Sequence, residues 1–115
     1  ITEPVMVQLC MGIPWGAPDD LNTFMAMVNN VPTDWVRSAF SIGRNQMNYV
    51  AATVLSGGHI RVGLEDNIWL QKGVLATNAQ LVERAATIAT NMGSTLMTPA
   101  QVRELIKVEK RAPLA

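Results

Sequence analysis

The sequence predicts an α/β fold in which short parallel strands alternate with amphipathic helices. Three apolar runs have the length of strands, and each is followed by a stretch with helical periodicity. The runs lie at 4–10, 34–42 and 59–64, and the helical stretches lie at about 20–29, 45–56, 78–92 and 99–107. Strands that alternate with helices in this way are typical of a parallel sheet covered by helices.

The first predicted strand is a nearly continuous apolar run from Pro4 to Cys10, which suits a strand buried on both faces. Gln8 is the exception. It either points into a shared interior and contacts a ligand, or it is a hydrogen-bonded polar group of the core, which is the commoner case. Four Gly and Pro residues between 11 and 18 then predict a loop at the end of this strand.

The second predicted strand, Asp34 to Ile42, follows a helix that Asp19 or Asp20 caps. The helix has the apolar spacing of one buried stripe at Leu21, Phe24, Met25 and Val28. The strand alternates, with Val36, Ser38, Phe40 and Ile42 on one side and Arg37, Ala39 and Ser41 on the other. Alternation alone leaves open which side faces inward.

The stretch 41–46 predicts a loop that leads into the second helix. Arg44 lies at the beginning of that helix, where backbone N–H groups favour an anion such as a phosphate or carboxylate. A structural salt bridge is an equally good interpretation of Arg44. The helix has an apolar stripe at Met47, Val50, Ala51, Val54 and Leu55, and Gly57-Gly58 ends it.

The third predicted strand, 59–64, is an apolar run that contains an arginine and leads directly into two adjacent carboxylates, the most distinctive grouping of ionisable residues in the chain. Side chains alternate along a strand, so one side is apolar and the other carries Arg61 and Glu65, with Asp66 just beyond the strand end. The apolar members are Ile60, Val62 and Leu64, and those opposite are Arg61, Gly63 and Glu65. In a sheet covered by helices, the polar side must face an interior shared with neighbouring strands, as in a barrel strand with catalytic residues at its C-terminal end.

Capping boxes predict the last two helices. Thr77 and Gln80 open one of them, and Thr98 and Gln101 open the other, with a Pro at the first helical position. Their buried faces are predicted from Leu81, Val82, Ala85, Ile88, Ala89 and Met92, and from Val102, Leu105 and Ile106. Residues 68–76, before these helices, are predicted to be a loop or irregular segment.

Composition restricts the classes of partner. Hydrophobic residues make up 49% and charged residues 16% of the chain, against a usual charged share of about 25%, so broad surfaces are expected to be covered by other protein. Nine basic and nine acidic residues without a Lys/Arg run predict no nucleic-acid partner. No apolar run approaches the roughly 18 residues that span a bilayer, and no signal-peptide pattern is present, so we expect no membrane and a cytoplasmic location.

Several motifs closely resemble the β-keto acid cleavage enzymes, the relatives of 3-keto-5-aminohexanoate cleavage enzyme. They cover nearly the whole chain: Gly12-Ile13-Pro14-Trp15-Gly16, Trp35, Ser41-Ile42-Gly43-Arg44, the run from Gly57 to Asn67, Lys72-Gly73, Asn78-Ala79-Gln80-Leu81-Val82 and Thr98-Pro99-Ala100. The resemblance implies a zinc-dependent TIM (β/α)8 barrel, a fold of about 250 residues. We therefore expect this chain to be the C-terminal three βα units of such a barrel, completed by an N-terminal barrel half or by a homo-oligomer.

The resemblance also assigns roles at the third strand. It implies that Glu65 is a zinc ligand, together with two histidines of an earlier strand that this chain lacks. It further implies that Asp66 removes a proton from the β-keto acid, that Arg61 orients Asp66, and that the products with acetyl-CoA are a CoA ester and acetoacetate. The chain's only histidine, His59, lies at the strand's beginning, too far from Glu65 to share a metal.

Three other interpretations stay open. In the first, the chain is a non-catalytic fragment or a partner subunit that completes a barrel, which the missing histidines favour. In the second, it is a small α/β ligand-binding module. In the third interpretation, Arg61 and Glu65 form an ion pair that has only a structural role. A dinucleotide-binding module is disfavoured because no Gly-x-Gly-x-x-Gly follows a strand. Cys10 is expected to be a small buried side chain without a role, since a lone cysteine forms no disulfide within the chain.

Overall fold

The computed structural model describes residues 3–109 and 111–113, so both ends of the predicted segment 1–115 lie outside the described residues. It contains a three-stranded sheet in which both strand pairs are parallel. In order across the sheet, the strands are β1 (Met6–Met11), β2 (Val36–Ser41) and β3 (His59–Ile60). The connections are α1 (Leu21–Asn30) and, after a 3₁₀ turn at Gly43–Asn45, α2 (Gln46–Leu55). The predicted α/β class with a parallel sheet is confirmed.

The register of the strands decides which side chains share a face. Leu9 lies beside Ala39, which lies beside Ile60, while Gln8 lies beside Ser38. Leu9 and Ala39 belong to the core, so the odd-numbered residues of β1 and β2 face the helices. Ser38 and Phe40 therefore lie with Gln8 on the face opposite the helices, so the two sides of the second predicted strand are now told apart.

The core lies between the sheet and the first two helices. Phe24 of α1 and Tyr49 of α2 meet edge to face, with ring centroids 5.3 Å apart and an interplanar angle of 74°. Both pack on Leu9, Met11 and Ala39 of the sheet. Burial of a side chain such as Phe24, which is 0% exposed, contributes about 1.5–3 kcal/mol relative to exposure. The sheet and its two crossover helices thus share one apolar cluster.

The prediction that the third strand extends over 59–64 is wrong, because β3 ends at Ile60. The carbonyl of Gly63 accepts hydrogen bonds from the backbone N–H groups of Asp66 and Asn67, each at 3.2 Å. These bonds curl the chain into a turn, so the predicted alternation of Val62 and Leu64 with Gly63 and Glu65 is not observed. Arg61 is the first residue after the strand.

The prediction of an irregular segment at 68–76 is also wrong. The antiparallel strands β4 (Trp69–Gln71) and β5 (Val74–Leu75) form a small hairpin there. Lys72-Gly73 makes the turn, and Gly73 has a φ of +79°, a conformation that glycine adopts at little cost. The backbone N–H of Ala76 donates to the carbonyl of Ile68 and closes the hairpin at 2.9 Å.

The two C-terminal helices, α3 (Asn78–Asn91) and α4 (Pro99–Leu105), begin as predicted. Both capping boxes are formed, with the Thr77 and Thr98 side chains accepting from the third helical N–H and the glutamines reaching back. α4 ends at Leu105 rather than at residue 107. Lys107 has a φ of +52°, which lies in the left-handed region and is incompatible with a right-handed helix. The ends of the other strands and helices differ from the prediction by one or two residues.

Several side chains predicted to be buried are exposed instead. Leu55 is 83% exposed and Leu21 63%. Others with more than a third of their surface exposed are Met25, Val82, Met92, Val102 and Leu105. These residues lie on the helices or at their ends, on sides that no other described element covers. The parallel sheet formed by the described residues has three strands, which is too few to cover them. Within the described part of the chain, no helix is both long and apolar enough to cross a membrane.

Candidate active site

Arg61 lies at the centre of a polar cluster beyond the end of β3. Its Nε donates to Oδ2 of Asp66 at 3.2 Å, and its second terminal nitrogen, Nη2, donates to Oε2 of Glu65 at 2.7 Å. Its Nη1 donates to Oε1 of Gln8, on β1, at 2.8 Å. The guanidinium carbon lies 4.2 Å from the ring centroid of Phe40, within the range of a cation–π contact. The three residues predicted for the site, Arg61, Glu65 and Asp66, are therefore brought together.

The two neighbouring carboxylates differ sharply in their surroundings. The side chain of Asp66 is 5% exposed, whereas that of Glu65 is 82% exposed and that of Arg61 is 32% exposed. A buried carboxylate needs a charged or hydrogen-bonding partner, which Arg61 provides. An exposed carboxylate in an ion pair with Arg61 is free to exchange that partner, because a solvated pair is weak. The arrangement thus gives one fixed and one available carboxylate.

The turn that carries these carboxylates is tied to α2 and to the end of β2. Its Gly63 carbonyl accepts a third hydrogen bond, from Nε2 of Gln46, at 3.0 Å, and Gln46 is only 1% exposed. The Asp66 carbonyl accepts from the backbone N–H of Gly43 at 2.6 Å. Gly43 has a φ of +76°, a left-handed conformation that disfavours a residue with a Cβ. These contacts fix the Asp66 backbone independently of its side chain.

Two asparagines hold the flanks of the turn. Oδ1 of Asn78, the first residue of α3, accepts from the backbone N–H of Leu64 at 2.8 Å. Asn67 is 8% exposed, and its amide bonds both the N–H and the carbonyl of Trp69. The site turn is therefore anchored to the hairpin on one side and to the beginning of α3 on the other.

Sequence reasoning found the charged residues of this cluster but missed several of its neighbours. The sequence predicts Gln8 to be either a ligand contact or a polar group of the core. Gln8 is exposed, so it is not a core group; its amide bonds Ser38 and Arg61, and a ligand contact stays a prediction. The alternation of the second strand places Phe40 on one of its sides but does not connect it with Arg61. Gln46 and Asn78 had no predicted role, and only their positions at the beginnings of helices next to the site loops were a usable signal.

The side chains of two other described candidate residues, Arg44 and Cys10, form no ion pair or hydrogen bond with this cluster. Arg44 is exposed on the 3₁₀ turn and forms no ion pair with another described residue. Burial raises the pKa of the Cys10 thiol above its ordinary value, and the nearby Asp66 carboxylate raises it further. A raised pKa keeps the thiol protonated near neutral pH, so Cys10 is poorly suited to act as a nucleophile.

The residues described here do not by themselves make up a zinc site. Within 3–109 and 111–113, no group of three or more His, Cys, Asp and Glu side chains is placed to hold a metal. Catalytic zinc takes three protein ligands, and Glu65 offers one carboxylate that is bonded to Arg61. His59 is exposed and lies on β3, before Arg61.

Comparisons with known proteins point to one family. A family model described as beta-keto acid cleavage enzyme matches residues 1–108. The chain is 65% identical over 111 residues to the 3-dehydrocarnitine:acetyl-CoA trimethylamine transferase of Rhizobium meliloti (strain 1021), covering 96% of this chain and 37% of that protein. It is 32% identical to a 3-keto-5-aminohexanoate cleavage enzyme of Acetoanaerobium sticklandii, covering 96% of this chain and 41% of the relative.

The name of a third relative contains a different keto compound, 3-oxoadipate. The 3-oxoadipate:acetyl-CoA acetyltransferase of Cupriavidus necator is 33% identical over 116 residues, covering 93% of this chain and 41% of that protein. The chain thus spans about two fifths of the length of the curated relatives that it matches.

Proposed function

The chain belongs to the beta-keto acid cleavage enzyme family, and from this premise we propose that it carries the proton-transfer part of a transferase site that cleaves β-keto acids with acetyl-CoA. The observation that supports the proposal is the Arg61–Asp66 pair, in which a guanidinium holds a buried carboxylate beyond the last strand of a parallel sheet. Parallel sheets bind ligands at the C-terminal ends of their strands. The names of relatives suggest the substrates, since two of them contain both a 3-keto compound and acetyl-CoA.

Asp66 is the proposed base. It removes a proton from the methylene carbon between the keto group and the carboxylate, and the resulting carbanion attacks the thioester carbonyl of acetyl-CoA and displaces the CoA thiolate. The thiolate then attacks the original keto carbonyl, and the bond from that carbonyl to the methylene carbon breaks. The proton held by Asp66 returns to this carbon. The products are a CoA ester of the substrate's side chain and acetoacetate, so no external oxidant or reductant is needed.

Arg61 is proposed to orient Asp66 for this transfer. A carboxylate base must lie within hydrogen-bond reach of the proton that it removes, so its orientation affects the rate. The Arg61 Nε bond restricts Asp66 to one side, and the backbone bond from Gly43 restricts its main chain. A base held in this way does not have to reorganise during the reaction.

We further propose that Glu65 supplies one ligand to a zinc ion whose two histidine ligands lie outside this chain. The exposure of Glu65 supports this role, because its side chain is accessible to an added ligand set. A divalent cation bound there would also compete with Arg61 for the Glu65 carboxylate. Zinc in such sites supplies Lewis-acid chemistry.

The sheet is proposed to be a segment of a (β/α)8 barrel. The strands are parallel and follow the chain order, and the chain spans 37–41% of the length of the relatives, close to three units of eight. An N-terminal barrel half, or further copies of the chain, would cover the outer edges of β1 and β3 and the exposed apolar side chains. Uncovered strand edges and apolar patches favour such association.

A hybrid enzyme tests the proposal. In the hybrid, this chain replaces the matching 111 residues of the Rhizobium relative, which the 65% identity makes feasible, and 3-dehydrocarnitine with acetyl-CoA is the assay substrate. Asp66→Asn is expected to lower turnover about 10²- to 10⁴-fold, with zinc content unchanged. Arg61→Ala should resemble it. Glu65→Gln should lose zinc, whereas the control Asp34→Asn, an exposed aspartate before β2, should keep both properties.

Undiminished turnover of the Asp66→Asn hybrid would remove Asp66 from the mechanism. Full zinc content in the Glu65→Gln hybrid would remove Glu65 from the ligand set. The chain alone, incubated with zinc and passed through a desalting column, is expected to retain no stoichiometric metal, since one carboxylate is an incomplete ligand set.

A second candidate is a non-catalytic role, as a fragment or a partner subunit that completes a barrel. The observation that favours it is the 2.7 Å bond from Arg61 to Glu65, which is shorter than the bond from Arg61 to Asp66 and leaves Glu65 occupied within the chain. In this case a folded hybrid should be inactive, while the unaltered Rhizobium protein turns over substrate in the same assay.

A further inference from the structure

The guanidinium of Arg61 is held by two residues that precede it by more than 20 positions. Oε1 of Gln8 accepts from Nη1 at 2.8 Å, and the ring of Phe40 lies 4.2 Å from the guanidinium carbon. Gln8 belongs to β1 and Phe40 to β2, and the parallel register places both on the face opposite the helices. The sheet therefore presents an acceptor and an aromatic face to one arginine.

The Gln8 amide is itself fixed. Its Nε2 donates to the hydroxyl of Ser38 at 3.0 Å, and Ser38 is 2% exposed. A flipped amide would turn its NH2 group toward the guanidinium, where two donors would meet. The amide oxygen is thus directed at Arg61, and the bond between them is assisted by the charge of the arginine.

We propose that Gln8 and Phe40 are positioning residues, which hold the Arg61 guanidinium in place over the sheet so that Nε stays bonded to Asp66. The competing partner is Glu65, whose carboxylate is 82% exposed and bonds the far end of the same guanidinium. An arginine has a long side chain with many rotamers, so a single exposed carboxylate draws it toward solvent once its other contacts are lost. The catalytic consequence of this positioning rests on the function proposed for Asp66.

The first test measures turnover in the hybrid enzyme. Gln8→Leu removes the acceptor with a similar volume, and a loss of kcat of about 10- to 100-fold is expected, with KM changed less than about twofold, because a displaced guanidinium misorients the base. Phe40→Leu is a second variant that should act in the same direction. Gln8→Glu retains an acceptor oxygen for Nη1 and should recover most of the kcat.

A double-mutant cycle separates positioning from a general structural effect. In an Arg61→Ala background, Gln8→Leu is expected to change kcat less than about twofold, since the residue through which Gln8 acts is gone. The matched control is Val7→Ala, which alters the neighbouring residue of β1 that packs on the core. It should leave kcat unchanged. Equal losses from Gln8→Leu in both backgrounds would overturn the proposal.

A measurement that needs no activity distinguishes this proposal from the proposed function. Side-chain NMR of the hybrid labelled with ¹⁵N-arginine reports whether the Arg61 N–H groups are held. Gln8→Leu should lose the Nη1–H resonance of Arg61 and broaden the Nε–H resonance, whereas Val7→Ala should keep both. Retention of both signals in Gln8→Leu would refute the positioning role even if the enzyme is active. An inactive hybrid whose Arg61 signals respond as expected would refute the proposed function alone.

Discussion

Replacement of Arg61 by Met should reveal how differently its two carboxylate partners depend on it. Arg61→Met keeps the length of the side chain and removes its charge, so Asp66, 5% exposed, is left without its cation. Loss of one partner from a fully buried pair costs about 3–5 kcal/mol. Because a third of the Arg61 side chain is exposed, water reaches the vacated position, and a cost of about 2–3 kcal/mol is expected.

A second substitution in the Arg61→Met background assigns that cost. Asp66→Asn removes the unpaired charge and should recover about 2 kcal/mol, since replacing both partners of a pair is close to neutral. Glu65→Gln should recover less than about 0.5 kcal/mol, because Glu65 is 82% exposed and remains solvated without the arginine. The exposed Arg44→Met is the control and should change stability by no more than about 0.5 kcal/mol.

Urea unfolding of the unaltered chain and of each variant, followed by tryptophan fluorescence and by circular dichroism, measures these differences in the free energy of unfolding. Coincident transitions by the two probes are the check that a single free energy of unfolding is defined. Equal recovery by Asp66→Asn and Glu65→Gln would refute the reasoning, since it would mean that the two carboxylates are equally dependent on Arg61.

Two further predictions concern local features. Thr77→Ala should lower the free energy of unfolding by about 1 kcal/mol, because it removes the cap of α3, whereas Thr87→Ala, at an exposed position within the same helix, should raise it by a few tenths. The Cys10 thiol, whose pKa is raised by burial and then by Asp66, should react with iodoacetamide more slowly in the folded chain than in urea at pH 8. Because the pKa of Cys10 is higher in the folded chain than in the unfolded chain, the stability that this shift contributes is fully present below pH 9.0, the ordinary pKa. It is lost as the pH rises through the raised pKa. Equal alkylation rates, or equal effects at the two threonines, would contradict these expectations.

The order of the main strands and helices could be predicted because each signal is local. A strand buried on both faces is a continuous apolar run, and Phe24 lies at the centre of an apolar helical stripe. The capping boxes at Thr77 and Thr98 fixed the beginnings of two helices to the residue. The extent of burial was not predictable from the same stripes, since it depends on which layers are present to cover them.

The end of β3 could not be read from its own residues. Ile60, Val62 and Leu64 alternate as a strand would, yet the strand ends at Ile60 and the chain turns at residues 64–66. The bonds that stabilise the turn come partly from Gln46 and Gly43, 17 and 23 residues before the groups that they bind. The hairpin at Lys72-Gly73 is a different case, because its local glycine signal was present but the flanking apolar runs were short.

The grouping of Arg61 with two carboxylates was predictable, whereas the residues that support this group were not; the roles of the three residues stay predictions. An arginine inside an apolar run, followed by two carboxylates, is an unusual local pattern, and it led to Arg61, Glu65 and Asp66. The contact between Gln8 and Arg61 joins residues 53 positions apart. It depends on two successive parallel registers, that of β1 with β2 and that of β2 with β3, which no single strand's sequence specifies.

The early end of β3 is what makes a division of roles between Glu65 and Asp66 physically reasonable. In a continuing strand, neighbouring side chains point to opposite faces, and a single arginine would not reach both. The turn closed on the Gly63 carbonyl instead brings both carboxylates within hydrogen-bond distance of Arg61 while burying only Asp66. A base has to be held in one orientation, whereas a ligand has to be accessible to the metal. The same guanidinium therefore fixes the buried carboxylate and only loosely retains the exposed one, which is the difference that the Arg61→Met cycle measures.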